Sequence, residues 1–374
     1  MRWDGQAITA DDGALPGLGR MAGLVRTVRT PEFAGVTFHE VLAKSALSKV
    51  PGESRMPFTW TINPYRGCSH ACSYCFARPS HRYLDMNPGE DFDSQIVVKM
   101  NVAEVLRAEV AKPSWAGDAV ALGTNTDPYQ RAEGRYRLMP GIIDALEASR
   151  TPFSILTKGT LLRRDLPRLT QAAERVDVGI GVSLAFVDED LQQAVEPGTP
   201  TPRARLDLVR AARAAGLPCG VMIAPVLPWL TDSTDHLTRL LDAVHEAGAT
   251  GATVLPLFLK PGTREWFMAW LRRDHPGRVA GYERVYAGGA YASRAYRDWL
   301  WDRVRPLLVE RGFESAGHRA QARTSGHART AGHPDGGTSH DEGDYPVGSL
   351  VGRRRPGPGA ARPGESVSTP QPLF

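Results

Sequence analysis

Short apolar runs rich in β-branched residues recur along the middle of the chain, at Phe58–Asn63, Ala119–Gly123, Phe153–Thr157, Val178–Leu184, Cys219–Pro225 and Thr253–Phe258. Each is too short for a helix and apolar on successive positions, the pattern of a strand buried on both faces of a parallel sheet. Between the runs the apolar positions shift to a helical period, at Val102–Ala111, Gly141–Ser149, Leu161–Glu174, Pro202–Ala215 and Thr234–Ala247. Gly216 and Gly248 stand where helix-terminating glycines belong. Further helical patterns follow at Thr263–Arg273 and Ala290–Arg311. Strand then helix, six times over, predicts an α/β fold with a parallel sheet and right-handed crossovers. Periodicity leaves a closed barrel, a partial barrel and an open doubly wound sheet equally open. No Gly-rich dinucleotide fingerprint follows the first strand, which speaks against a nucleotide-dependent dehydrogenase.

The two ends read differently. Residues 1–50 carry no strong period apart from a short helix predicted around His39–Ser48, and are expected to form an N-terminal extension. Residues 51–312 are expected to form the core with a C-terminal helical cap. Residues 313–374 are rich in Gly, Pro, Ser, Arg and His, and read as a disordered tail. Its histidines, His318, His327, His333 and His340, and its Arg353-Arg354-Arg355 run fit a solvated low-complexity segment better than a metal or phosphate site.

Composition narrows the class. Hydrophobic residues make up 42% and charged residues 23%, as in a globular protein with a sizeable core. The net charge of +4 neither demands nor excludes a nucleic-acid partner. No signal-peptide run opens the chain and no stretch is apolar enough to span a bilayer, so a cytoplasmic monomer without membrane contact is expected. Of the 45 basic residues only six are Lys, which singles out each lysine. Of the four cysteines three crowd into eight positions, not spread in pairs as a disulfide framework would be, so a reduced compartment and a metal are expected.

Three of them lie in Asn63-Pro64-Tyr65-Arg66-Gly67-Cys68-Ser69-His70-Ala71-Cys72-Ser73-Tyr74-Cys75-Phe76-Ala77-Arg78, directly after the first predicted strand. Three thiolates on so short a loop can wrap an iron–sulfur cubane, and an electron-transfer cluster would need a fourth. Cys219 falls inside a strand pattern and reads as a small buried hydrophobe. Three ligands leave one iron open, which makes a chemical site of the cluster, as an open position does at catalytic zinc. The competing assignment is zinc held by Cys68, Cys72 and Cys75 with His70 or His81, although zinc ligands usually come as two separated pairs.

The loop resembles the signature of the radical S-adenosylmethionine (SAM) superfamily, Cys-x3-Cys-x-aromatic-Cys, with Tyr74 at the aromatic position. The resemblance implies a partial (β/α)6 barrel of the TIM type, a 4Fe-4S cluster on Cys68, Cys72 and Cys75, and SAM chelated through its amine and carboxylate on the open iron. It implies an external one-electron donor of the flavodoxin or ferredoxin type. The electron splits the sulfonium, and the 5′-deoxyadenosyl radical abstracts hydrogen from substrate. Tyr74 would then lie near the adenine.

In such a barrel the site gathers at the C-terminal ends of the strands. After strand two come Thr124, Asn125, Thr126 and Asp127, either a capped turn or, by the resemblance, the place that contacts the SAM amine. The superfamily's usual Gly-Gly-Glu wording is absent there. Lys158 after strand three is a candidate partner for the SAM carboxylate. Ser183 after strand four suits the ribose or carboxylate, strand five ends at Pro225 with Thr231-Asp232 beyond it, and Lys260 follows strand six.

Asn63–Cys68 taken with Gly123–Tyr129 resembles the spore-photolyase-like branch, often labelled DNA repair photolyase, and within it an actinobacterial radical SAM family of uncharacterised substrate. The resemblance covers roughly residues 42–312. It implies an enzyme, a lyase or DNA-repair type among the choices. Spore photolyase returns a hydrogen through an additional cysteine beside the cluster site, and here the one cysteine beyond the loop, Cys219, lies inside a strand pattern. Three functions therefore stand beside one another: a radical SAM enzyme on nucleic acid or nucleotide, one on a peptide or small metabolite, and a metal-stapled zinc protein without catalysis.

Overall fold

The structure, a computed structural model, describes residues 23–50 and 58–313. The tail reading, with its four histidines and Arg353–Arg355, falls outside them. The described strands are Leu24–Val28 (β1), Thr37–Val41 (β2), Leu47–Lys49 (β3), Trp60–Ile62 (β4), Tyr65–Arg66 (β5), Gln95–Lys99 (β6), Val120–Leu122 (β7), Phe153–Thr157 (β8), Val178–Ser183 (β9), Cys219–Val226 (β10) and Gly251–Pro256 (β11).

Seven of them form the main sheet in the order β11-β10-β9-β8-β7-β4-β3. From β4 to β11 every pairing is parallel, and β3 joins antiparallel to β4 at the edge. The parallel strands sit in chain order. A doubly wound sheet would reverse direction at a switch point; this one never does. With right-handed crossovers at every step, the helices fall on one face and the other face becomes the concave side of a barrel wall. No pairing joins β11 to β3 among the described residues.

The six predicted strands and the crossover helices lie where the periodicity puts them. Strands β8, β9 and β10 are buried almost throughout. The helices Val102–Val110, Leu138–Ala148, Pro202–Ala214 and Thr234–Glu246 present Leu106, Ile142, Leu208 and Leu240 to a common core. Gly216 and Gly248 have φ of +79° and +78°, the left-handed geometry that closes a helix without a Cβ penalty. The helix predicted at Leu161–Glu174 is split. Residues Thr160–Asp165 wind as 3-10 helix and an α-helix runs over Leu166–Ala172. Pro167 at the start of the second piece has no N–H to continue the first. The last predicted helix begins later, at Arg294, and a short helix at Val279–Val285 precedes it.

One expectation is overturned. His39–Ser48 is not helical. Its start belongs to β2 and its end to β3. Strand β2 is the centre of a second sheet, β1-β2-β6-β5, buried at all five positions and paired on both sides. Pairing with β6, more than fifty residues on in sequence, outweighs the local helical preference of Glu40-Val41-Leu42-Ala43-Lys44. This sheet ties residues 23–50 to β5, the strand that leads straight into the cysteines.

Candidate active site

The cysteine loop leaves the C-terminal end of β4, passes through β5 and is held by its own backbone at every turn. Cys68 N–H donates to Phe92 O at 2.9 Å and Ser73 N–H to Val195 O at 2.9 Å. Gln130 clamps it from the strand-two loop: Ser69 N–H donates to Gln130 Oε1 at 3.0 Å, and Gln130 Nε2 donates to Gly67 O at 3.0 Å. Arg78, with no exposure at all, donates to Cys72 O from Nη2 at 2.9 Å and pairs with Asp93 at 2.8 Å, its guanidinium lying over Trp266 and Phe92. Thr263 Oγ1 donates to Cys75 O at 3.0 Å. Gly198 packs so closely on the loop that a Cβ there would lie 2.0 Å from Ser69 O.

Within this frame Cys68 and Cys72 are buried, Cys75 is half-buried, and all are free thiols. Burial pushes each thiol above its ordinary pKa, and neighbouring thiols add to the rise at Cys68 and Cys72. Ser73 Oγ, between Cys72 and Tyr74, is buried with no hydrogen-bond partner. Three free thiols on one loop, beside an orphaned hydroxyl, are a donor set that fits a cubane bound through three of its irons.

A single zinc ion fits poorly. Among the described residues no three His, Cys, Asp or Glu side chains converge as one metal ion requires. His70 Nδ1 instead faces Asp127 Oδ2 at 3.4 Å, and burial lowers its pKa. His81 Nε2 lies 3.0 Å from Gln95 O.

Cys219 cannot act as a fourth ligand. It opens β10, fully buried in the main core, while the cysteine loop lies at the other end of the sheet. Seven residue steps at ~3.3 Å each put roughly 20 Å along the strand between them. Cys219→Ala is therefore expected to leave the iron–sulfur absorbance of the reconstituted protein unchanged; bleaching would place this thiol in the site.

The strand ends assemble the remaining candidates, with a division of labour the sequence does not display. Thr126 turns inward and donates to Tyr65 O at 2.9 Å. Asp127 is occupied: it accepts from Thr157 Oγ1 at 2.5 Å, Lys158 N–H at 2.6 Å and Tyr129 N–H at 2.9 Å. Both tie loops together. Thr124 is half-buried and Asn125 exposed, its N–H donating to Asn63 Oδ1. Ser183 is buried at the end of β9, and its carbonyl accepts from Arg205 at 3.1 Å. Lys260 Nζ lies 5.6 Å from the Phe76 ring centroid, beside Cys75, where burial lowers its pKa.

Tyr74 and Lys158 meet at a residue that sequence reasoning missed. Glu196 is fully buried, and its Oε1 accepts from the Tyr74 hydroxyl with Lys158 Nζ 4.0 Å away. Its Oε2 pairs with Arg205, also fully buried, and lies 3.2 Å from Thr199 Oγ1. Burial alone would raise the Glu196 pKa, but Arg205 and Lys158 outweigh it and hold the carboxyl below its ordinary value. Burial alone would lower that of Lys158, but Glu196 and Cys72 hold it above the ordinary lysine value. Lys158 Nζ thus stands between the Glu196 carboxylate and the Tyr74 ring, 5.7 Å from its centroid. One signal for Arg205 was readable: it sits on the apolar stripe of its helix with Pro202, Leu208, Val209 and Ala212.

Residues 62–244 match the family model of the radical SAM superfamily, the class of protein that fold and loop define. The chain belongs to that superfamily and is a radical SAM enzyme. It is 62% identical over 315 residues, 83% of this chain and 92% of the relative, to Uncharacterized protein Rv2578c of Mycobacterium tuberculosis. It is 26% identical over 185 residues, half of this chain and 65% of the relative, to Uncharacterized protein MJ0683 of Methanocaldococcus jannaschii. Among solved structures, spore photoproduct lyase complexed with dinucleoside spore photoproduct shares the fold, with a TM-score of 0.55 at 15% identity over 74% of this chain and 79% of that one. Among the described residues no helix is long and apolar enough to cross a membrane.

Proposed function

We propose that Cys68, Cys72 and Cys75 each hold one iron of a 4Fe-4S cluster and leave the fourth iron to SAM. The observation that carries this is the set of three free thiols on one braced loop at the C-terminal strand ends, with the remaining cysteine at the far end of the sheet. Such a cluster, once bound and reduced from outside, would supply the one-electron reductive chemistry toward SAM that hydrogen abstraction from a substrate requires.

The chain's own residues bind and exclude water. Lys158 offers its ammonium to the carboxylate of SAM. Tyr74 borders the adenine, and Thr124, Asn125 and Ser183 supply polar groups at the strand ends around it. Thr126 and Asp127 act one step back, fixing the loops that carry Tyr65, Lys158 and His70. A second apolar core surrounds Cys72 and Tyr74 with Phe186, Leu227, Leu257, Phe267 and Tyr282, and keeps that side of the site dry. An external flavodoxin- or ferredoxin-type protein supplies the electron.

For the substrate, the fold shared with spore photoproduct lyase supports a nucleic acid or nucleotide. Repair that ends on a cysteine hydrogen donor is not supported, because the chain has four cysteines, three of them assigned to iron and the fourth buried far off. Anaerobic reconstitution with iron and sulfide, followed by dithionite and SAM, tests the cofactor reading. A brown protein forming 5′-deoxyadenosine is expected; one equivalent of tight zinc and no turnover would reject it. Binding to DNA that weakens steeply with salt tests the substrate class, and a flat response would favour a peptide or small metabolite.

A further inference from the structure

The two oxygens of Glu196 face in different directions. Oε2 faces the scaffold, where Arg205 pairs with it and Thr199 lies beside it. Arg205 is in turn fixed to Ser183 O at 3.1 Å and to Pro200 O at 2.8 Å, so this end is locked to β9 and to the start of the following helix. Oε1 faces the site, where it receives the Tyr74 hydroxyl and faces Lys158 Nζ at 4.0 Å. Lys158 Nζ also lies 5.7 Å from the Tyr74 ring centroid, so carboxylate, ring and ammonium form one triangle. The segment that carries Glu196 is hydrogen-bonded to the cysteine loop on both sides of it, through Val195 O and Gly198 N–H.

Charge counting shows what the arrangement leaves over. Arg205 and Glu196 cancel. Lys158 is then a mostly buried cation with no carboxylate in hydrogen-bond contact with its ammonium: Glu196 Oε1 stands 4.0 Å away and already receives the Tyr74 hydroxyl, and Asp127, the other carboxylate acting on it, is taken up by Thr157, Tyr129 and the Lys158 backbone N–H. A buried ammonium held in this way has a place for one more anion.

We infer that Glu196 is a positioning residue. Anchored by Arg205 and by the Tyr74 hydroxyl, it sets the Lys158 ammonium in place, so that Lys158 meets the carboxylate of SAM without Glu196 touching SAM itself. This rests on the cofactor reading above. An ordinary buried ion pair would only stabilise the fold; a positioning residue must lose its effect when the group it positions is removed.

The test is a double-mutant cycle read as SAM affinity, by equilibrium dialysis of labelled SAM against the cluster-loaded, unreduced protein under anaerobic conditions. Glu196→Asp keeps a counter-charge for Arg205, so the fold survives, but withdraws the carboxylate by one methylene. Glu196→Asp and Lys158→Ala are each expected to weaken binding about tenfold, the lower end of what losing an outer partner of a metal site costs. The double variant should be no weaker than Lys158→Ala alone, with iron–sulfur absorbance intact in all three. Additive losses, or no loss in Glu196→Asp, would overturn the positioning role while leaving the cofactor reading standing. Unchanged affinity in Lys158→Ala would remove Lys158 from the SAM site and the inference with it. A fall in melting midpoint without a fall in affinity would make Glu196 structural only.

Discussion

Alanine at any one of Cys68, Cys72 and Cys75 is expected to strip the reconstituted protein of its iron–sulfur absorbance and reduce SAM cleavage to background. Each thiol would be the sole protein ligand of its iron, and among the described residues no spare donor stands ready to replace it. His70 is turned to Asp127, His81 to Gln95 O, and Cys219 is at the opposite end of β10. Loss of an outer-shell partner typically costs roughly 10–100-fold in metal affinity, and loss of a direct ligand should cost more. Iron content by chromogenic assay and 5′-deoxyadenosine by chromatography are the two measurements. A variant that kept wild-type colour and turnover would show that its cysteine is not a ligand.

The fold itself should persist in these variants. The loop is secured by backbone hydrogen bonds, by the Gln130 clamp and by Arg78, none of which uses a thiol. The raised thiol pKa values agree with this: without metal the buried sulfurs stay neutral, so removing one leaves no buried charge behind. A colourless variant that melts near the wild-type apoprotein would therefore separate loss of the cluster from loss of structure.

How much of this was legible in the sequence depends on range. The six parallel strands and their helices were, because burial on both faces prints a continuous apolar run and a helix prints its period locally. The order of the strands was not. Which strand lies beside which is a matter of long-range pairing, and the chain order that separates a barrel wall from a doubly wound sheet leaves no local trace. The same limit produced the false helix at His39–Ser48, whose residues suit a helix until β1 and β6 flank them.

The site divides the same way. The cysteines were legible because cluster chemistry demands thiols at short spacing. Lys158 was legible because lysine is rare in this chain. Glu196 was not. A Glu-Pro pair before a helix reads as an exposed turn, and only the fold shows that this carboxylate has no exposure. Thr126 and Asp127 fall between the two. Their polarity after a strand pointed to ligand contact, yet their hydrogen bonds go to Tyr65, Thr157, Lys158 and Tyr129. Residues that hold a site together and residues that touch its ligand carry the same chemistry in sequence.

Arg205→Ala should cost the fold more than any other single change argued above. It removes the direct ion-pair partner of Glu196 and leaves a carboxylate with no exposure to water. Breaking one side of a buried pair typically costs about 3–5 kcal/mol, chiefly because the surviving charge stays desolvated. Lys158, at 4.0 Å, offsets part of this, which argues for the lower end. The melting midpoint should fall on the order of 10 °C. The sign of the pH dependence identifies the cause. In the wild type the Glu196 pKa lies below its ordinary value, so the pair's contribution is complete above the unfolded value of about 4.3 and is lost only as pH falls through the folded one. In Arg205→Ala burial dominates and raises the folded pKa above the unfolded value. The ionised form is then penalised, and the stability deficit should shrink as pH is lowered toward 5. Glu196→Gln in the same chain should recover part of the loss at neutral pH, since charge and counter-charge have gone together. A deficit that was flat with pH and untouched by Glu196→Gln would mean that Arg205 stabilises through its packing and its bonds to Ser183 O and Pro200 O alone.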